Sequence, residues 1–266
     1  MPYDKTSSLP QAVQKLPAKA QEVFLGAYNA AWEDHSGEKG REQTCAAIAW
    51  AAVKKVYEKK GETWVAREAM KPADWKKAYK QGTPHWAEDT KPTEFATEFV
   101  QAMKDAKAKS VLEVGCGNGR DSVLFAEQGF EAHAIDIAPE AVAMAQVAAE
   151  KAGVALDAKI ANAASLPFED GQFDAFYSLS VLHSTDLKQT IPEAFRVLAK
   201  GGVAFVYIYG STVKGAKVAD AISLDSYIGL LRDAGFALVD FYSEQEDELD
   251  EYGESHRLFV ALLEKP

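Results

Sequence analysis

The sequence predicts an α/β protein in which a doubly wound, mostly parallel sheet follows a small all-α domain. Three observations predict it. From residue 110 onward, apolar runs of strand length alternate with stretches of helical periodicity, the pattern of parallel strands joined by helical crossovers. An apolar run that includes a carboxylate, Val111-Leu112-Glu113-Val114, breaks into Gly115-Cys116-Gly117-Asn118-Gly119 and then into a helix pattern. The first 68 residues carry apolar stripes at helical spacing and no long β-branched run.

In chain order, Pro10 and Pro17 stand where first helical turns begin. Phe24, Ala27, Tyr28, Ala31 and Trp32 form one apolar stripe; after Ser36-Gly37 and Gly40, a second is formed by Ala46, Ala49, Trp50, Val53 and Tyr57. Two such helices with facing aromatics make a small bundle, closed by Trp64. The residues Leu9-Pro10, Leu16-Pro17, Tyr28-Asn29, Ala31-Trp32, Arg41-Glu42, Ala49-Trp50-Ala51-Ala52-Val53-Lys54, Tyr57 and Trp64 make the segment 1–68 resemble the ChaB family of small helical proteins, named for cation-transport regulation. The resemblance implies an accessory module with a protein partner and no chemistry of its own.

Residues 69–92 change character, with Lys71-Pro72, Gly82-Thr83-Pro84 and Lys91-Pro92 marking a connector between polar stretches. Trp75, Tyr79 and Trp86 within it are costly to leave in water, so they cover a ligand or glue the flanking domains together. A catalytic domain is expected over 93–266. It begins with a helix over 93–107 carrying Phe95, Phe99 and Met103, then the strand and glycine turn of 110–119, then a helix with Leu124, Phe125 and Ala126 as its first buried positions. Strands are expected over 131–137, 155–161, 173–179, 203–209, 236–242 and 256–264, and helices over 139–153, 191–198 and 224–234. The last two strands are joined by a connection without a helical apolar stripe, so the final strand is expected to run antiparallel.

Glycine is needed where φ is positive or where a ligand approaches the backbone closely. The dinucleotide fingerprint G-x-G-x-x-G places a third glycine at position 120, which is Arg120; here it comes one residue early, at Gly119. This E-x-G-x-G-x-G form, from Glu113 through Gly115 and Gly117 to Gly119, resembles motif I of the class I S-adenosylmethionine (SAM) methyltransferases. The resemblance implies a Rossmann-like seven-stranded sheet, SAM as cofactor with S-adenosylhomocysteine as product, and no metal. It also implies that Gly115, Cys116 and Gly117 bend around the amino-acid end of SAM while Glu113 holds the loop. Asp136, just past a buried run and 17 residues beyond Gly119, stands at the offset where an acid reaches ribose hydroxyls, with Ile137 beside it.

Three further matches extend the resemblance. Asn162, Ala163 and Leu166-Pro167-Phe168-Glu169-Asp170 follow the family's D-x-x-x-L-P-F-x-D signature with Asn162 in place of Asp, so Asn162 and the Ala163 N–H become adenine contacts. Ser178 matches the position near the methionine moiety, and His183 faces the place of the methyl acceptor. Residues 69–92 resemble the W…Y…G-x-P-x-W segment of thiopurine- and tellurite-resistance-type enzymes, in which Tyr79, His85 and Trp86 cover the cofactor or substrate. His183, with an ordinary pKa near 6.5, is the candidate catalytic base or a structural hydrogen-bonder, and His85 is a second candidate.

Composition bounds the partners. With 47% apolar and 26% charged residues the chain reads as a globular protein, without an apolar run near the roughly 20 residues that span a bilayer or a leader pattern, so a cytoplasmic location without membrane insertion is expected. Cys45 and Cys116 fit no metal-ligand spacing. The net charge of −11 falls entirely beyond residue 68, the first 68 residues being near neutral, which argues against nucleic acid as a partner. The fourth strand's exit lacks the [DNS]-P-P-[YFW] tetrad of amino-methylating enzymes, which favours a small-molecule acceptor. The acidic run over 244–254 either draws cationic acceptors or is a solvated loop. Two rival functions remain: a SAM-binding sensor or scaffold linked to transport, in which no methyl group moves, and a protein methyltransferase.

Overall fold

A computed structural model of the chain describes residues 3–37, 39–61, 63–66, 72–82, 87–210, 222–245 and 257–266. Two compact units are present, one covering Met1–Ala69 and the other Met70–Gly210, Ile222–Glu244 and Leu258–Pro266. His85 and Trp86, and residues 246–254 of the acidic run, lie outside the described residues.

The first unit comprises α1 (Gln11–Gln14), α2 (Ala18–Asp34), α3 (Arg41–Val56) and a hairpin of β1 (Tyr57–Lys60) with β2 (Thr63–Ala66). Pro10 and Pro17 are the N-caps of α1 and α2, one position earlier than the first helical turn. The stripes meet as expected: Phe24, Tyr28 and Ala31 of α2 pack on Cys45, Ala49 and Val53 of α3, with Trp50 edge-on to Phe24 at 5.5 Å. Arg41 lies over the Trp32 ring at 4.0 Å and bonds its carbonyl. The helical expectation holds through Val56. Tyr57–Ala66 departs from it, because the turn around Gly61, at φ +63, reverses the chain and sets Trp64 against Trp50, ring centroids 6.0 Å apart and tilted.

The second unit holds α4 (Pro72–Lys80), α5 (Glu94–Asp105), β3 (Ser110–Val114), α6 (Arg120–Glu127), β4 (Glu131–Asp136), α7 (Pro139–Ala152), β5 (Asp157–Ile160), β6 (Phe173–Leu179), α8 (Leu187–Val197), β7 (Leu198–Tyr209), α9 (Leu224–Ala234), β8 (Ala237–Gln245) and β9 (Arg257–Glu264). The seven strands run in the order β5-β4-β3-β6-β7-β9-β8. Strands β5, β4, β3, β6 and β7 are parallel, and β9 pairs antiparallel with β7 from Val203↔Glu264 to Tyr209↔Leu258, as expected of the final strand.

Side-chain alternation sorts the strands into two cores. Leu112, Val114, Phe176, Val206 and Ile208 face Ile191 and Ala194 of α8 and Tyr227 and Leu231 of α9. Val111, Tyr177, Phe205 and Tyr207 face Phe99 and Met103 of α5 and Phe125 of α6. Helix α5 starts on Thr93, whose hydroxyl accepts the Ala96 N–H at 3.1 Å.

Some boundaries move. Strand β5 is shorter than expected, β7 begins at Leu198, and α8 starts at Leu187 because Asp186 caps it, accepting the Lys188 N–H at 3.0 Å. On α6, Asp121, Ser122 and Phe125 are buried, in place of the expected Leu124 and Ala126, because the polar side chains find partners inside. The connector contains α4, and Tyr79 at its end packs on Ala87, on Ala138 just before α7 and on Ala141 within it.

Candidate functional site

The chain runs outward from β3 to β4 and β5, then returns to place β6 on the other side of β3. The carboxyl ends of β3 and β6 therefore flank a topological switch point, where open α/β sheets bind ligands. The glycine turn leaves β3 at that point.

Its three glycines serve two different purposes. All have positive φ, at +81°, +54° and +81° for Gly115, Gly117 and Gly119. A Cβ on Gly115 would collide with the Val181 side chain beyond β6, and one on Gly119 would sit 2.7 Å from the backbone of Ala145 in α7. At Gly117 a Cβ would meet only the Tyr79 hydroxyl, at 3.2 Å. Two glycines thus let elements pack, and the middle one leaves bare backbone beneath a tyrosine.

The register sets the partner of that backbone. Val114 pairs with Ile135, and the Gly115 and Cys116 N–H groups both donate to the Ile135 carbonyl, at 2.8 and 3.0 Å. Asp136 follows immediately. Its carboxylate accepts the Gly117 N–H at 3.0 Å and the Ala138 N–H at 2.9 Å, so it spans the glycine turn and the entry to α7. Burial raises its pKa above the usual carboxylate range, against the lowering effect of the Ala138, Gly117 and Ile137 N–H groups.

Glu113 is buried and accepts a hydrogen bond from the Ser122 hydroxyl, so it braces the start of α6. Burial, reinforced by the charge of Asp121, holds its carboxyl well above the usual range. Cys116 contributes backbone only: its sulfur packs among Ala134, Val142, Ala145 and Ala158, and burial pushes the thiol pKa up, with Glu113 and Asp136 adding to the shift. Ser178 is fully buried and donates to the Val114 carbonyl at 3.2 Å, tying β6 to the end of β3. Past β6, Ser180 is held at φ +57° by its N–H bond to the Tyr207 carbonyl at 3.0 Å.

Asn162 is exposed and its Oδ1 accepts the Ala164 N–H at 3.0 Å, capping its own turn, while Ala163 is half-buried against the core. His183 is half-buried in a short 3-10 turn (Leu182–Ser184), edge-on to Tyr209 at 4.9 Å. Its Nδ1 accepts the Tyr209 N–H at 3.5 Å. The structure thus brings Gly115, Cys116, Gly117, Gly119, Glu113, Asp136, Ile137, Ser178 and Tyr79 into one neighbourhood. Asn162 and Ala163 follow β5, the edge strand, two strands from β3.

Residues 112–206 match the family model described as a methyltransferase domain, and residues 9–67 match ChaB. The ubiquinone biosynthesis O-methyltransferase of Xanthomonas oryzae pv. oryzae is 34% identical over 111 residues, which are 41% of this chain and 46% of that protein. An uncharacterized protein of Mycobacterium tuberculosis is 39% identical over 93 residues, 35% of this chain and 34% of that protein. The chain therefore spans less than half the length of either relative. The geranyl diphosphate C-methyltransferase of Streptomyces coelicolor superposes with a TM-score of 0.54 at 12% identity over 64% of this chain and 79% of that one, a likeness of fold.

The glycine turn and Asp136 fit S-adenosylmethionine on their own geometry. Backbone without Cβ lies at the switch point, and a carboxylate able to accept about four hydrogen bonds stands beside it. Four residues of the domain were not legible as site residues: Thr93, Asn118, Arg120 and Asp121. Asp121 is buried and accepts the Thr93 N–H and hydroxyl at 2.8 and 2.9 Å and the Tyr177 hydroxyl at 3.2 Å. The signal was present in the spacing, since Asp121 lies four residues before buried Phe125, on the same helix face.

Proposed function

We propose that the chain is a SAM-dependent methyltransferase that methylates a small-molecule acceptor by in-line displacement. The observation that carries this reading is the Gly117 N–H bound to Asp136 at 3.0 Å across the ends of β3 and β4, beside the switch point. On this reading residues 93–266 are catalytic, 69–92 form a lid through Tyr79, His85 and Trp86, and 1–68 form an accessory module that engages a protein partner. Gly115, Cys116, Gly117 and Gly119 hold the amino-acid end of the cofactor with their backbone, Asp136 takes the ribose hydroxyls, and Ile137, Asn162 and Ala163 line the adenine. Glu113 and Ser178 act from beneath, since both spend their side chains on the scaffold.

The bound cofactor supplies a methyl group on a sulfonium, with a thioether as leaving group. The protein's part is alignment, and positioned reactants reach effective molarities of about 10⁵ to 10⁸ M. His183 is the candidate group on the acceptor side. With Nδ1 accepting the Tyr209 N–H, the neutral ring carries its proton on Nε2 and acts as a donor. A donor suits an acceptor that is already nucleophilic or ionises easily. The name of the Xanthomonas relative directs the first choice to an oxygen acceptor such as an acidic phenol.

Calorimetry with S-adenosylhomocysteine and transfer of labelled methyl from SAM to phenols, thiols, amines and carboxylates test the proposal. Binding with turnover of at least one acceptor supports it. Binding without turnover favours the sensor, and no binding removes it. For His183→Gln, which keeps a side-chain N–H, about wild-type turnover is expected, against roughly a tenfold to hundredfold loss for His183→Ala. Equal loss in both assigns His183 as a base.

A further inference from the structure

Asn118 lies inside the glycine turn, and its side chain reaches away from it. Its Nδ2 donates to the Ala87 carbonyl at 3.0 Å and to the Asp89 carbonyl at 2.7 Å, while Oδ1 accepts the Arg120 N–H at 3.2 Å. The neighbouring positions grip the same segment. Arg120 pairs with the Asp89 carboxylate at 3.4 Å, and buried Asp121 takes both the N–H and the hydroxyl of Thr93. Ala87 in turn packs with Tyr79 against α7, and the Tyr79 hydroxyl is the atom nearest to any Cβ on Gly117.

A cap on the turn needs only the bond from Arg120 N–H to Asn118 Oδ1. The two bonds from Nδ2 do something else: they fasten the strap of residues 87–93 to the backbone that faces the ligand. We infer that Asn118 is a positioning residue for the cofactor, which holds the strap on the glycine turn so that Tyr79 stays over Gly117. The inference rests on the proposed use of this turn as the cofactor site. The Asn118 amide thereby couples the order of the turn to that of the strap, backed by the buried Asp121 anchor. Arg120 is a minor contributor, because its ion pair is exposed and such pairs hold little.

Asn118→Asp separates the two roles, since it keeps an acceptor for the Arg120 N–H and removes both donors to the strap. With the full chain, S-adenosylhomocysteine affinity is read by calorimetry, stability by thermal melting, and amide exchange of residues 87–93 with and without that ligand. Asn118→Asp is expected to weaken binding about tenfold or more, to speed exchange of 87–93 and to abolish the ligand's protection of it, with Tm within about 2 to 4 °C of wild type. Asn118→Ser, with one donor retained, should fall between the two. Unchanged affinity and exchange in Asn118→Asp overturns the inference, as does a loss of affinity only in proportion to a general loss of Tm. Should the wild type bind no S-adenosylhomocysteine, the proposed function fails separately; unliganded exchange of 87–93 still supports the tether if Asn118→Asp speeds it and refutes it if not.

Discussion

Glu113 and Asp136 are carboxylates on either side of one glycine turn, and their surroundings divide their work. Asp136 holds backbone N–H groups and is half-buried, whereas Glu113 is buried beneath α6 with the Ser122 hydroxyl as its partner. Burial raises the Glu113 pKa above the ordinary glutamate value of 4.5, so folding favours the neutral form. Its contribution to stability is therefore whole below about pH 4.5 and is lost as pH rises through the raised value. Glu113→Gln stays neutral throughout. Its Tm minus that of wild type should be near zero at pH 4.5 and grow positive toward pH 8; a difference independent of pH would show Glu113 ionised in the fold. The glycines divide similarly. Gly117→Ala, with only Tyr79 nearby, should cost about 1 kcal/mol of stability and at least tenfold in S-adenosylhomocysteine affinity. Gly119→Ala, against the Ala145 backbone, should cost about 2 to 4 kcal/mol in denaturant melts.

Among the elements, α8 shows what holds a motif in place. The Leu166-Pro167-Phe168 stretch was legible, but its holder, Arg196, was not. The Arg196 guanidinium bonds the Leu166 and Phe168 carbonyls at 3.0 and 2.7 Å, the Glu193 carboxylate at 2.7 Å and Asp170 at 2.8 Å. Glu193 in turn accepts the Leu166 N–H at 2.7 Å, and the Arg196 hydrogen bonds lower its pKa. Arg196→Met keeps the stem and removes the fork. It should destabilise by about 2 kcal/mol, seen as a Tm lower by about 4 to 8 °C. The hairpin Tyr57–Ala66 was not legible because Trp64 fits a closing helix as well as a strand; only its contact with the Trp50 ring selects the hairpin.

For the molecule as a whole, the order of the sheet sets a gradient of protection. Strands β3 and β6 are paired on both sides, and Phe176 and Tyr177 are 1% and 0% exposed. Strand β8 closes the sheet, with Leu238, Val239 and Tyr242 at 39%, 55% and 42% exposure. Hydrogen exchange should therefore be slowest in β3 and β6 and fastest in β8, and a reversed order would contradict the topology. No helix among the described residues is long and apolar enough to cross a membrane.

Sequence alone determined the alternation of strand and helix, the glycine turn, the acid after the second strand and the sense of the last strand, because each is written in local periodicity or in a short spacing. Tertiary structure alone decided which side chains serve the site from beneath and which face it. Glu113 and Cys116 share the motif with Gly117, and Ser178 stands at the neighbouring end of β6, yet their side chains are spent on α6, the core and β3. Asn118 and Asp121 carry no local sign of a partner, yet they hold Ala87, Asp89 and Thr93, some thirty residues earlier. A hydrogen bond between distant segments depends on where packing brings them, and that distance is not encoded in any local pattern.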